Sequence, residues 1–322
     1  MYRELLKIPF TDLTVKSYGT MMVIGFLAAV YVMQRLSRRS GLDPVLITNA
    51  ALYSLVAGVV GARIFFVIHY RDEFDSFLSV FALWRGGLEF LGGVVLAIVF
   101  LVFYLRKVRQ PVCRALDVMA VGLMLALAFG RIGCFLNGCC YGKPADLPWA
   151  VRFPYGSFAY ESQINANPQR GRLEPHLRLP DSFFGYLDAQ GQFNPGLKPL
   201  ADLTPEQREQ VTHGEYRCLP VHPSQLYASL SALAVSLILY GLWRRGRAKP
   251  GSWSARPGMV FSTMFILYGL VRFLLEFSRD DNPFEWGILT ISQILGLGLI
   301  GLGVTCILIN RSWPKAQDPT AR

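Results

Sequence analysis

Charge is scarce in this sequence. Asp, Glu, Lys and Arg make up 17% of its 322 residues, against about 25% in a soluble domain. The charges that exist fall in short clusters between long apolar runs, which excludes an ordinary soluble protein. There is no internal repeat and no low-complexity tract, and this weighs against transporters built from inverted repeats. The six cysteines (Cys113, Cys134, Cys139, Cys140, Cys218 and Cys306) form no C-x-x-C pairs with partner histidines, so no zinc motif and no metal site is expected. No small-x-small cleavage site follows the first apolar run, and Glu4 and Asp12 stand in its flank. That run is therefore expected to remain as a membrane span.

What is present is a set of spans. Seven runs approach the roughly 20 residues needed to cross an apolar core of about 30 Å: 18–36, 46–70, 88–105, 115–134, 224–243, 257–277 and 286–310. Arg and Lys cluster after every second boundary: Arg35, Arg38 and Arg39; Arg106, Lys107, Arg109 and Arg114; Arg244, Arg245, Arg247, Lys249 and Arg256; then Arg311, Lys315 and Arg322. The positive-inside rule then places the N-terminus outside and the C-terminus in the cytoplasm. The net charge of +10 is a topology signal and does not call for nucleic acid. The expected fold is an all-α polytopic membrane protein of about seven helices. Residues 1–142 would form spans one to four, 143–221 a long extracytoplasmic insertion, 222–310 spans five to seven and 311–322 a cytoplasmic tail. The insertion is rich in Pro, Gly, Asn, Gln and Arg with weak periodicity, so short elements in a loop-rich head are expected, serving as a lid, a docking surface or plain decoration. Cys134, Cys139, Cys140 and Cys218 fall at or near the outer face. Both a disulfide and simple apolar packing fit them.

Three arginines lie inside spans, where each costs about 2.5–3.5 kcal/mol at the bilayer centre. Counted from the cytoplasmic ends, Arg63 stands about 17 residues in, Arg131 about 16 and Arg272 about 15. At 1.5 Å per residue all three reach about 22–26 Å, one level in the outer half of the membrane. A single arginine there is equally well read as snorkelling or as a structural ion pair; Tyr268, Arg272 and Glu276 share one helical face. Three at one depth point to an anion site, and a phospholipid phosphate is the anion at that level, gripped in bidentate fashion by guanidinium. The stretch Gly130–Gly142 (GRIGCFLNGCCYG) adds glycines that permit close backbone approach and Asn137, which both donates and accepts.

That stretch resembles the signature of prolipoprotein diacylglyceryl transferases, the membrane enzymes that lipidate bacterial lipoproteins. Tyr18-Gly19, the GARIFFVIHY segment Gly61–Tyr70, the HPSQLY segment His222–Tyr227 and the YGLVRFLLE segment Tyr268–Glu276 resemble the family's other motifs in order. The family's third span commonly carries a histidine before a Gly-Gly pair. Here Leu91 takes that place before Gly92-Gly93. Cys134 stands where many members have Asn, and Ala228 ends a motif that usually ends in Glu.

The resemblance implies transfer of diacylglyceryl from phosphatidylglycerol to the lipobox cysteine thiol of a preprolipoprotein in the bacterial cytoplasmic (inner) membrane. A thioether and glycerol phosphate are the products, and no metal or organic cofactor is required. Phosphatidylglycerol, the preprolipoprotein signal peptide and membrane lipids are the expected partners. It points to Arg272, Tyr268 and Glu276 as catalytic residues, Glu276 orienting Arg272. Arg131 is expected on the lipid phosphate, with Asn137, Arg63, Tyr18, His222 and Gln225 in substrate binding. For His222 and Gln225, a cap or interfacial anchor is an equal reading. Glu89 is a replacement base for the missing histidine, and His69 is read as interfacial. The competing class is a divergent phospholipid-binding or transport protein without catalysis.

Overall fold

The computed structural model describes residues 4–7, 14–71, 87, 89–188, 191–280 and 284–312. Trp84, Arg85, Gly86 and Leu88 of the third-span motif, Asp12, and Lys315 and Arg322 of the tail lie outside them. The long helices are α1 (Ser17–Arg39), α2 (Pro44–His69), α3 (Phe90–Lys107) and α4 (Val112–Asn137), then α7 (Ser224–Ala248), α8 (Met259–Leu275) and α9 (Ile291–Ser312). Two short helices, α5 (Phe158–Ile164) and α6 (Pro205–Thr212), lie between α4 and α7. Among the described residues, six helices are long and apolar enough to cross a membrane: α1, α2, α4, α7, α8 with its 3-10 extension to Ser278, and α9. The protein is thus an all-α polytopic membrane protein. The third of the seven expected runs forms α3, whose 18 residues span about 27 Å and end on Arg106 and Lys107.

The chain divides into two compact units. The first comprises Met1–Phe26, Met124–Val235 and Phe265–Thr305; the second comprises Leu27–Leu123, Ser236–Met264 and Cys306–Arg322.

Within the second unit, glycines set the helix packing. A Cβ on Gly61 of α2 would lie 2.5 Å from the Gly92 carbonyl of α3, and one on Gly93 would lie 2.9 Å from the Gly58 carbonyl. Only bare backbone allows this approach, the usual way helices gain contact where lipid supplies no hydrophobic drive. Asp43 caps α2, its Oδ1 accepting from Val45 N at 2.8 Å and Leu46 N at 3.3 Å, with Pro44 at the first helical position. Asp117, buried on α4, caps the start of α8. Its oxygens accept from Gly258 N at 2.7 Å and Phe261 N at 2.8 Å, meeting orphan N–H groups at the positive end of a helix dipole.

The first unit includes residues 143–221 and holds two apolar clusters. One cluster buries Phe153, Ala159, Tyr160, Leu177, Cys218 and Val221, and another buries Phe183, Leu203 and Val211. An antiparallel hairpin pairs β3 (Phe184–Leu187) with β4 (Phe193–Leu197); the small N-terminal hairpin β1 (Glu4–Lys7) and β2 (Thr14–Lys16) precedes α1. Polar groups in the head find partners. The Gln163 amide pairs with both backbone groups of Leu219, accepting from N at 2.8 Å and donating to O at 3.2 Å, while Tyr160 Oη donates to Tyr216 O at 2.8 Å. Thr204 opens α6 with a capping box through Gln207. The short elements expected from composition are present, and their stability comes from two small apolar cores that no sequence periodicity announces.

Candidate active site

The site is built in the first unit, where three of the sequence motifs are sewn together by backbone. Helix α4 ends at Asn137 because Gly138 adopts φ 79° and its N–H returns to the Cys134 carbonyl at 3.0 Å, a glycine stop. Cys140 is also left-handed, at φ 59°, uncommon for a residue with a side chain. The chain therefore turns sharply at Gly138–Cys140. That turn is held by the HPSQLY motif. Ser224 Oγ donates to Cys140 O at 2.7 Å, and Gln225 Nε2 donates to Cys139 O at 2.8 Å. Next, Lys143 N donates to Ser278 O at 2.9 Å and His222 N to Lys143 O at 3.0 Å, with a backbone bridge between Gly142 and Arg279. A Cβ on Gly142 would overlap His222 and lie 2.8 Å from Ser278 O; glycine is what lets these three strands of chain meet.

Helix α1 joins through Gly133, where a Cβ would lie 3.2 Å from Tyr18 Cδ2 and 3.2 Å from Met21 Cβ. Tyr18 is thereby set beside Arg131 and the Cys134, Cys139 and Cys140 thiols, all of which act on it electrostatically. Helices α8 and α9 touch through Gly269 and Gly296, a Cβ on the first lying 2.5 Å from the carbonyl of the second. This brings Ser292 of α9 under Arg272 Nη2, which donates to its Oγ.

The electrostatic centre is Glu276, whose side chain is 1% exposed. Its carboxylate faces Arg170 Nη2 at 3.4 Å, Arg272 Nη2 at 3.6 Å and Arg279 Nε at 4.0 Å. Arg131 and Arg272 lie within electrostatic range of Tyr268 and of Arg279, and Arg272 also within range of Arg131. Among the described residues, this one carboxylate thus faces three guanidinium groups. A second pair flanks it: Arg172 Nη1 binds Asp280 Oδ2 at 3.1 Å, with His176 Nε2 4.0 Å from the same oxygen. Burial, reinforced by Arg172 and opposed by Asp280, holds the His176 imidazole below its ordinary range.

The Cys134, Cys139 and Cys140 sulfurs lie within 4.8 Å of one another. Arg131 Nη1 is 3.8 Å from Cys140 Sγ, and the Cys139 Sγ lies 3.8 Å from the Cys134 carbonyl. All six cysteines are free. A cavity of about 430 Å³ opens alongside, lined by Cys139, Cys140, Tyr141, Glu161, Asn165 and Arg172 among others.

Of the nine residues singled out in the sequence, the structure brings together Tyr18, Arg131, Asn137, Gln225, Tyr268, Arg272 and Glu276. His222 contributes its backbone to the seam, while its ring turns to Tyr227, Nδ1 lying 3.4 Å from that hydroxyl. Gln225 is 1% exposed, and its Oε1 has no hydrogen-bond partner among the described residues. Arg63 belongs to the second unit, where it donates to Gly87 O at 2.9 Å and lies over the Phe66 ring. Also there, His69 Nδ1 and Glu89 Oε2 pair at 2.6 Å, so these two residues form one dyad. Leu91 is 57% exposed. Arg170, Arg172 and Arg279 were not foreseen. The first two sit in the loop-rich insertion, and only their sequence neighbours Asn167 and Gly171, turn-formers flanking Arg170, hint at an ordered presentation.

Comparison with known proteins bears on this arrangement. The model of the family described as prolipoprotein diacylglyceryl transferase matches residues 4–309. A protein of Geobacter sulfurreducens is 29% identical over 306 residues, covering 91% of this chain and 90% of its own length. One from Clostridium tetani is 27% identical over 299 residues, covering 93% and 94%. One from Rhodopirellula baltica is 27% identical over 360 aligned positions, covering 92% and 72%. All three are named phosphatidylglycerol–prolipoprotein diacylglyceryl transferase. With motifs meeting in one seam and the family pattern matched over nearly its whole length, the chain belongs to the prolipoprotein diacylglyceryl transferase family.

Proposed function

We propose that this protein transfers the diacylglyceryl group of phosphatidylglycerol to the lipobox cysteine thiol of a preprolipoprotein. The observation that carries this reading is the buried cluster of Arg170, Arg272 and Arg279 on Glu276, with Arg131 and Arg272 both in electrostatic range of Tyr268 and Arg279. The thiolate sulfur attacks the glyceryl carbon that bears the phosphate ester. As the carbon–sulfur bond forms, the carbon–oxygen bond breaks, and the electron pair leaves on glycerol phosphate; the thiol proton goes to solvent or to the departing phosphate. Charge grows on the leaving oxygens in the transition state, so fixed guanidinium groups in a site shielded from water lower the barrier. The same cations favour the thiolate, the competent nucleophile.

Arg131 and Arg272 take the phosphate in this scheme. Glu276 holds Arg272 against Ser292 and tethers Arg170 and Arg279, so it acts as a positioning residue. Gln225 Oε1, buried with its acceptor capacity unused by the described residues, suits a hydroxyl donor of the glycerol headgroup. Tyr18 and Asn137 flank the same turn. The charge distribution of the loops supports an outer-leaflet site, with the N-terminus and residues 143–221 outside the cytoplasmic membrane and the C-terminus inside. Arg170 and Arg172 then make the insertion a wall of the site.

The test is a reaction of purified protein with phosphatidylglycerol labelled in its acyl chains and a lipobox peptide. The reading requires a diacylglyceryl thioether on the peptide cysteine and one glycerol phosphate released per peptide modified. Phospholipid binding with no thioether, in protein that melts cooperatively, would contradict it.

A further inference from the structure

We propose that Cys134, Cys139 and Cys140 form a three-thiolate binding site for a thiophilic d10 cation, Zn²⁺ or Cu⁺. The proposed transfer step does not use these thiols, and the two readings share only Arg131 and Gln225. Their sulfurs lie within 4.8 Å of one another. A zinc–sulfur bond of about 2.3 Å needs tetrahedral ligand sulfurs about 3.8 Å apart, so closing on a cation takes only side-chain adjustment. Three soft sulfurs, with no carboxylate or imidazole in the group among the described residues, favour zinc and cuprous copper over oxygen-seeking cations.

The turn that gathers them is rigidly built. Cys134 ends one face of α4, Gly138 and Cys140 are left-handed, and Gln225 and Ser224 pin the Cys139 and Cys140 carbonyls at 2.8 and 2.7 Å. Metal sites depend on such outer contacts to orient their ligands. Binding Zn²⁺ converts three S–H groups to thiolates and releases three protons, leaving a net charge of −1 on the cluster. Arg131 Nη1, 3.8 Å from Cys140 Sγ, meets that charge. Access runs through the cavity of about 430 Å³ that Cys139 and Cys140 line. Since Arg131 lies one helical turn before Cys134, an occupied site fixes the end of α4 on which that arginine stands.

The experiment uses full-length protein in detergent, reduced with a phosphine and stripped of metal, titrated with Zn²⁺ against a colorimetric chelator and with Cu⁺ against a cuprous chelator. One equivalent of at least one cation should bind, and the arm with tighter binding identifies it. Cys134→Ser, Cys139→Ser and Cys140→Ser should each weaken binding by about a hundredfold or more, while Cys113→Ser and Cys306→Ser leave it unchanged. Co²⁺ should give a thiolate charge-transfer band that the three triad variants lack, and bound metal should protect three thiols from alkylation. Thermal melts confirm that each serine variant is folded. No stoichiometric binding of either cation, binding that survives in Cys139→Ser, or alkylation of the triad unaffected by metal would each overturn the proposal. None of these readouts involves diacylglyceryl transfer, so failure here is distinct from failure of the transferase reading.

Discussion

Replacing Glu276 with glutamine keeps the side chain's shape and removes its charge. Three guanidinium groups then lose their shared anion. Each pair stands 3.4–4.0 Å apart, and at an effective dielectric near 20 each is worth about 4–5 kcal/mol of Coulomb attraction. Repulsion among the arginines and a desolvation penalty of several kcal/mol per ion take back most of that sum. What survives subtraction is the cost of stranding buried cations, about 3–5 kcal/mol when one partner of a buried pair is removed. Glu276→Gln should therefore lower the melting midpoint by roughly 6–15 °C, taking about 2–3 °C per kcal/mol for a chain this long. Arg170→Met removes one cation of three and leaves the carboxylate two partners, so it should cost about 1–2 kcal/mol, with a coupling of about 1–3 kcal/mol in the double variant. Intrinsic fluorescence during heating in one detergent reads all four proteins. A Glu276→Gln protein melting within about 2 °C of wild type, or an Arg170→Met protein melting below it, would refute the assignment of Glu276 as the common anion.

Asp117 accepts two backbone N–H bonds at the start of α8; Asp117→Ala should destabilise the protein by about 2–3 kcal/mol, and a wild-type melting curve would show the cap to be idle. Burial pushes the Cys218 thiol up to about 11 from an ordinary value of 9.0. A raised acidic pKa gives stability that is complete below pH 9 and lost as pH rises through 11, so the midpoint should fall over that window less steeply in Cys218→Ser, and alkylation of native Cys218 at pH 8 should be far slower than in denaturant. Leu91→His should change the transfer rate by about tenfold or less if guanidinium groups activate the thiol. A gain of a hundredfold or more, the usual worth of a general base, would assign the base role to a histidine at that position.

The fold was largely legible because membrane spans obey length and charge rules that need no knowledge of partners. The apolar runs became α1, α2, α4, α7, α8 and α9 with ends displaced by a few residues, as caps such as Asp43 and Gly138 set the true limits. The run at 88–105 became α3, the same 18 residues long but displaced by two positions, Phe90–Lys107. Depth alone singles out Arg131 and Arg272, since an arginine inside a span demands a reason. Arg170 and Arg172 were hidden because the head's order comes from non-local contacts, such as Arg172 with Asp280 108 positions away, which leave no periodic trace. The thiol cluster was hidden for a different reason. Its spacing fits no metal motif, and the left-handed turn at Gly138–Cys140 folds the pair back toward Cys134. Depth also groups Arg63 with Arg131 and Arg272, and within the second unit it donates to Gly87 O.

The central claim is that guanidinium groups fixed in the first unit hold the lipid phosphate through the transition state. Single-turnover transfer from labelled phosphatidylglycerol to a lipobox peptide tests it, comparing Arg131→Ala with Arg38→Ala, a change in the basic cluster that ends α1. Losing a buried charged hydrogen bond costs about 2–5 kcal/mol, so Arg131→Ala should slow transfer by roughly thirtyfold to several thousandfold while Arg38→Ala stays near wild type. A folded Arg131→Ala protein that transfers at the wild-type rate would contradict the account.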